Sequence, residues 1–180
     1  MNRKSDIRLA FSLMGSILTA GVMSVIVLIV FSAAMEKALG VALIQAINLL
    51  LLYFLIYMQM WRVGEKDVNY SNTGHITFDR YSGLKIGLYA MIVLHLPLVL
   101  LISGMVLENQ LLIAIYRLVN AMFYGFHNLF MPVMAPDFTV VHVLLALFPP
   151  LFVPLFSSFA YYMGHKRQSI MGKIVYKKKK

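Results

Sequence analysis

The segment Glu108–Asp137, ENQLLIAIYRLVNAMFYGFHNLFMPVMAPD, decides how the whole chain is interpreted. It is apolar enough to cross a membrane, yet it carries Arg117, Asn120, His127 and Asn128. Polar and charged side chains are costly in the bilayer interior, so they are rare in spanning helices. The chain has five spans if this segment crosses the bilayer, and four if the segment lies on the bilayer or dips into it.

Composition places the protein among integral membrane proteins. The chain has 180 residues, of which 61% are hydrophobic and 13% charged, whereas soluble domains carry roughly 25% charged residues. The absence of cysteine removes disulfides, thiolate metal sites and thiol redox chemistry. The net charge of +9 accompanies apolar segments, so we attribute it to membrane orientation and to anionic lipid headgroups, and not to nucleic acid.

Four apolar runs are long enough to span a bilayer, which takes about 20 helical residues. They cover 9–35, 38–61, 86–107 and 138–163. The first run has 27 residues, whereas the apolar part of a signal peptide has ~7–15, so we expect an uncleaved span. Only Glu36 and Lys37 separate the first two runs, which predicts an antiparallel helical hairpin. The predicted fold class is therefore an all-α integral membrane protein with four transmembrane helices in a single domain.

The distribution of basic residues favours four spans over five. Fourteen of the sixteen lie before the first span, in the connection 62–85 or in the tail 164–180. Short basic segments tend to stay in the cytoplasm, and a fifth span would export the basic tail. We therefore expect a protein of the bacterial plasma membrane with both termini in the cytoplasm. The segment 108–137 then lies on the outer side.

The segment 108–137 is then predicted to be an amphipathic helix. At 100° per residue, Arg117, Asn120, Tyr124, His127 and Asn128 share one face of a continuous helix. Such a helix can lie in the interface or fold back into the bundle as a re-entrant element. Its polar face is either a passive ledge or a lid over a cavity.

Polar residues inside the apolar runs are candidates for ligand binding, because amides and imidazoles in lipid need partners. Hydrogen bonding between helices is the structural alternative. Prolines 149, 150 and 154 should break the last span, and broken helices occur where backbone lines a cavity. The candidate binding residues are Gln45, Asn48, His95, Arg117, Asn120, His127 and His142.

Three further features concern packing and the cytoplasmic side. Four small residues recur every fourth position in the first span and predict a packing face: Ser12, Ser16, Ala20 and Ser24. The sequence HITFD at 75–79 alternates weakly and could pair with the Ile-Val-Tyr run of the tail as a small cytosolic β pair. The terminal lysines, which we expect to contact anionic lipid headgroups, are Lys177, Lys178, Lys179 and Lys180.

No catalytic, metal-binding or cofactor motif is present in the sequence. The first hypothesis is a non-enzymatic accessory or assembly partner of a larger membrane complex, with homo-oligomerisation as an alternative partnership. The second is a substrate-binding or transport component with a polar cavity beneath 108–137. The third, an intramembrane lipid-modifying enzyme, needs one of the predicted-site histidines to converge with Glu108 or Asp137.

Overall fold

The computed structural model describes residues 3–74 and 79–167 of the chain, which are helices joined by short turns. The α-helices are α1 (Arg3–Val30), α2 (Ala38–Asn72), α3 (Ser82–His95), α4 (Leu98–Val106), α5 (Gln110–Val119), α6 (Tyr124–Phe130), α7 (Val140–Leu147) and α8 (Phe152–His165). Short 3₁₀ helices cover Ser32–Glu36, Ala121–Phe123, Ala135–Asp137 and Pro149–Leu151. These ranges contain no strand. The predicted β pair, except Asp79, and the terminal lysines lie outside the described residues.

Four helical stretches are long and apolar enough to cross a membrane: Asp6–Val30, Ala38–Asn72, Ser82–Val106 and Val140–His165. Their number confirms the prediction from the apolar runs. The third stretch consists of α3 and α4, which are interrupted at Pro97, and the fourth consists of α7 and α8, which flank Pro149 and Pro150. Proline lacks an N–H group and clashes with the preceding helical turn, which explains both interruptions.

The connection predicted over 62–85 is shorter in the structure, because α2 continues to Asn72 and α3 begins at Ser82. A turn follows α2 at Thr73 and Gly74, where Gly74 has φ +75. The polar composition of 62–72 is typical of a loop. Burial of Gly64 and Asp67 within α2 shows instead that this part of the helix packs against the rest of the protein, and such packing supplies most helical stability.

Helix α8 lies against α2 and α3 at positions where only glycine fits. A Cβ atom added to Gly64 of α2 would lie 2.1 Å from the carbonyl oxygen of Tyr161. One added to Gly164 of α8 would lie 2.0 Å from the carbonyl oxygen of Trp61. The two backbones are therefore in direct contact, as small residues allow in helix pairs within membranes.

Helix α1 meets α2 through its small-residue face. The amide of Gln59 donates a hydrogen bond to the hydroxyl of Ser12 over 2.7 Å and accepts one from the hydroxyl of Ser16. Ala20 and Ser24 are fully buried. This face therefore packs between helices, as its spacing predicted.

Candidate functional site

The segment 108–137 bends at Asn120 instead of forming one continuous helix. α5 ends at Val119, a 3₁₀ turn follows, and α6 begins at Tyr124. The backbone of Asn120 (φ -97, ψ 31) departs from helical geometry. The polar face that we calculated for a continuous helix therefore does not extend across the segment.

Two amide side chains of α2 hold this bend. The Nε2 atom of Gln45 donates to the carbonyl oxygen of Met122 over 3.0 Å, and its Oε1 atom accepts from the backbone N–H of Gly125 over 2.6 Å. The Nδ2 atom of Asn48, which is fully buried, donates to the carbonyl oxygen of Ala121 over 3.2 Å. Buried backbone groups need hydrogen-bond partners, so both predicted-site amides serve the backbone of the bend.

The polar residues of the segment bond mainly within the segment itself. A guanidinium nitrogen of Arg117 donates to the carbonyl oxygen of Pro132. Asn120 donates to the carbonyl oxygen of Tyr116 over 3.3 Å, and the Nε2 atom of His127 lies 3.3 Å from the Tyr116 hydroxyl. Asn120 and His127 are buried and Arg117 is half-buried, whereas Asn128 is exposed. Their predicted role in ligand binding stays a prediction.

His127 is the most enclosed of these groups, with 1% of its surface exposed. Burial, with a smaller contribution from the charge of Arg117, lowers the pKa of His127 to about 3. The imidazole is therefore neutral near pH 7. Its Nδ1 atom has no hydrogen-bond partner within the part of the chain that the structure describes.

The other two predicted-site histidines bond locally. The Nδ1 atom of His95 lies 3.0 Å from the carbonyl oxygen of Met91, one turn earlier in α3. The Nδ1 atom of His142 accepts from the backbone N–H of Thr139 over 3.0 Å and caps α7. Neither histidine lines the cavity that borders Gln45, so that cavity differs from the predicted polar one.

This cavity is an apolar cleft of about 590 Å³ between α2, α6 and the broken fourth stretch. We call it the aromatic cleft. It is lined by Ala38, Val41, Ala42, Gln45, Leu49, Tyr53, Phe123, Gly125, Phe126, Leu129, Phe130, Phe148, Pro149 and Phe152. Its polar side-chain groups are the amide of Gln45, already bonded at both ends, and the hydroxyl of Tyr53. Leu129 is 75% exposed, so the cleft opens at its flank.

Two sequence features shape the aromatic cleft. A Cβ atom on Gly125 would lie 2.6 Å from Cβ of Gln45, so glycine is what lets α6 approach α2. The proline-rich break places the phenylalanines before and after it in the cleft wall. Along α2 the lining runs from Ala38 to Tyr53, about 22 Å at the helical rise of 1.5 Å per residue.

Sequence reasoning missed the aromatic lining. Phenylalanines at 123, 126 and 130 follow helical spacing, and a second pair is four residues apart at 148 and 152. That spacing was a usable signal for two aromatic faces. It could not show that the two faces meet, because they come from separate elements.

At the other end of the bundle, a buried carboxylate joins α2 to α8. Asp67 accepts a hydrogen bond from the Tyr161 hydroxyl over 2.8 Å. Asp79 lies outside the helices, and hydrogen bonds from the Lys85 ammonium and the Tyr81 backbone N–H lower the pKa of its carboxyl group. Over residues 3–74 and 79–167, no three histidine or acidic side chains are grouped so that they could hold a metal ion. The Asp67–Tyr161 hydrogen bond therefore joins two helices, whereas the bonds to Asp79 remain local to the start of α3.

Comparison with known proteins finds no matching family model, no matching curated protein and no matching solved structure. The class of protein is therefore defined by the fold, in which the described residues include four helical stretches long and apolar enough to cross a membrane. Its function has to be argued from the cleft and the surfaces.

Proposed function

We propose that this chain is a non-enzymatic accessory protein of a membrane, and that its aromatic cleft binds an apolar ligand. The observation that carries the proposal is the cleft itself, about 590 Å³ in volume and lined almost wholly by apolar and aromatic side chains. Small-molecule sites in proteins have volumes of roughly 300–1,000 Å³ and predominantly apolar walls. The cleft has both properties.

The chemistry of the lining supports an apolar ligand over a polar substrate. The Gln45 amide is engaged with the backbone of the bend, so its hydrogen-bonding capacity is largely used. A polar ligand would lose its hydration without gaining partners, which is unfavourable. The lining therefore favours an apolar ligand here over the polar cavity that the sequence predicts beneath 108–137.

We infer the orientation of the protein from its basic residues. α1 and α3 begin, and α2 and α8 end, at one end of the bundle, which carries Arg62, Lys66, Arg80, Lys85, Lys166 and Arg167. We call this the basic end and place it in the cytoplasm of a bacterial cell, with both termini on that side. The aromatic cleft begins at Ala38, at the start of α2, and so belongs to the outer half of the bilayer.

Blocking the cleft tests the proposed function. Ala42 and Ala46 are exposed residues one turn apart on α2, and of the two only Ala42 lines the cleft. We expect an apolar compound to be extracted from the purified wild-type protein and from Ala46→Trp, and to be at least about tenfold depleted in Ala42→Trp. Mass spectrometry of organic extracts measures this. Added oleate or farnesol should stabilise the wild-type protein and Ala46→Trp against unfolding. The gain should be about 2.7 kcal/mol when the concentration of the compound is a hundred times its Kd.

Two results would count against an apolar ligand. In one, the wild-type protein carries no extractable compound and gains no thermal stability from any of a panel of apolar compounds. In the other, Ala42→Trp retains as much compound as Ala46→Trp, which would place the bound compound elsewhere on the protein.

The second candidate is assembly with another membrane protein or a second copy through α1. Gly15 is exposed, and a Cβ atom there would meet no atom within 4 Å. Large apolar side chains surround it, and Phe11 is 67% exposed. Small residues permit close helix contact in membranes. Gly15→Leu should abolish a complex cross-linked in native membranes, and a wild-type protein that cross-links to nothing would contradict this role.

A further inference from the structure

A second concave surface lies at the basic end, between the start of α3 and the last turns of α8. It has a volume of about 600 Å³, and we call it the basic groove. It is independent of the aromatic cleft, which begins at the other end of α2. The basic groove is lined by Arg80, Tyr81, Leu84, Leu155, Ser158, Phe159 and Tyr162.

One cation lines the mouth of the basic groove, and a second stands beside a residue that lines it. Arg80 is exposed and, among the ion pairs of residues 3–74 and 79–167, takes part in none. The ammonium of Lys166 lies 4.6 Å from the ring centroid of Tyr162, so it stands beside the same groove. The neighbouring carboxylate of Asp79 is 2.6 Å from the ammonium of Lys85. That ion pair offsets the negative charge of Asp79, so the mouth of the groove remains positive.

Beyond the cations the wall becomes apolar. Leu155 is 61% exposed, and Phe159 lies one turn further along α8. From Tyr162 to Leu155 the wall extends about 10 Å along the helix, towards the middle of the bundle. Tyr81 and Tyr162 stand at the charged mouth, and tyrosine is enriched at membrane–water interfaces. The positive mouth therefore matches a phospholipid's headgroup, the tyrosines match the interface, and the apolar wall matches an acyl chain.

We propose that the basic groove binds one anionic phospholipid. The phosphate lies between the guanidinium of Arg80 and the ammonium of Lys166, and an acyl chain lies along Leu155 and Phe159. Guanidinium groups bind phosphate oxygens in pairs, and an ammonium adds a point charge. A free phosphate ion would leave the apolar wall uncovered, whereas a lipid covers both parts of the groove.

Native mass spectrometry of the full-length protein, with phosphatidylglycerol and phosphatidylcholine supplied in equal amounts in micelles, tests this site. The wild-type protein should retain one phosphatidylglycerol in preference to phosphatidylcholine. Arg80→Gln and Lys166→Gln should each weaken phosphatidylglycerol binding about fivefold, because one basic residue near anionic lipid has about that effect. The matched control is Arg62→Gln, an exposed cation at the same end that, unlike Arg80, does not line the groove and, unlike Lys166, does not lie over the Tyr162 ring, and it should bind as the wild type does.

Three outcomes would overturn the proposal. Equal retention of the two lipids by the wild-type protein would remove the preference for a negative headgroup. A loss in Arg62→Gln as large as that in Arg80→Gln would show diffuse attraction without a site. Displacement of the lipid by millimolar inorganic phosphate would show that the apolar wall contributes nothing. Because Arg80 and Lys166 are both exposed, their variants should fold, and the melting temperature of each verifies it.

Discussion

Gln45 bonds two backbone groups that lie 77 and 80 residues further along the chain. A glutamine suits this position because its amide offers a donor and an acceptor on one short group. Replacing it by leucine leaves the Met122 carbonyl and the Gly125 N–H without these partners. We expect Gln45→Leu to lower the free energy of unfolding by about 1–3 kcal/mol, measured by titration with sodium dodecyl sulfate in mixed micelles.

The control for this substitution is Ser12→Ala, which removes one exposed hydrogen bond that Gln59, in the second half of α2, donates to the Ser12 hydroxyl. Single hydrogen bonds between helices in membranes are worth about 0.6 kcal/mol on average, so the control should lose less than Gln45→Leu. Equal losses would mean that the bend is held by packing alone and does not depend on the amide.

The residues of the bend show what a sequence can reveal at this scale. Gln45, Asn48 and His127 could be recognised as unusual from their apolar surroundings. Their partners could not, because backbone groups freed by a bend are identical in every residue and leave no mark in the sequence. The partners of His95 and His142 lie within four residues in the chain, at Met91 and at the helix start at Thr139, so nearby sequence could have suggested them.

Among the elements, the contact of α2 with α8 depends on glycine. Gly64→Ala places a methyl group where the Tyr161 carbonyl oxygen is 2.1 Å away, and overpacking of this kind typically costs about 1–3 kcal/mol. The matched control is Gly15→Ala, where space is open and alanine favours a helix by about 1 kcal/mol. Thermal unfolding in detergent should show Gly64→Ala less stable, and Gly15→Ala unchanged or more stable.

If both alanine variants unfolded at the wild-type temperature, the close approach of α2 and α8 would not contribute to stability. The prediction of a connection over 62–85 included Gly64 because 62–72 is polar. A helix that leaves the apolar layer but stays packed against a neighbour cannot be distinguished from a loop by composition. Gly64 indicates close helix packing only when the glycine that faces it, Gly164, is also known.

For the whole molecule, the number of long apolar helical stretches and the break of the last one at Pro149 and Pro150 followed from run length and proline, both of which act locally. The aromatic cleft did not follow, because its walls come from α2, the bend near Asn120 and the break at Pro149. Relative placement of separate elements depends on contacts distant in sequence. The sequence therefore indicated most of the long helices, but it did not indicate how they pack against one another to form the cleft.

The direction of the chain across the membrane can be tested directly, because the protein has no cysteine. Four spans place exposed residues 72 and 167 on one side, and exposed residues 37 and 137 on the other. In intact cells we expect a membrane-impermeant maleimide to label Lys37→Cys and Asp137→Cys. Asn72→Cys and Arg167→Cys should react only after lysis, since basic flanks remain inside. Labelling of Arg167→Cys but not Asp137→Cys in intact cells would instead show that 108–137 crosses the bilayer as a fifth span.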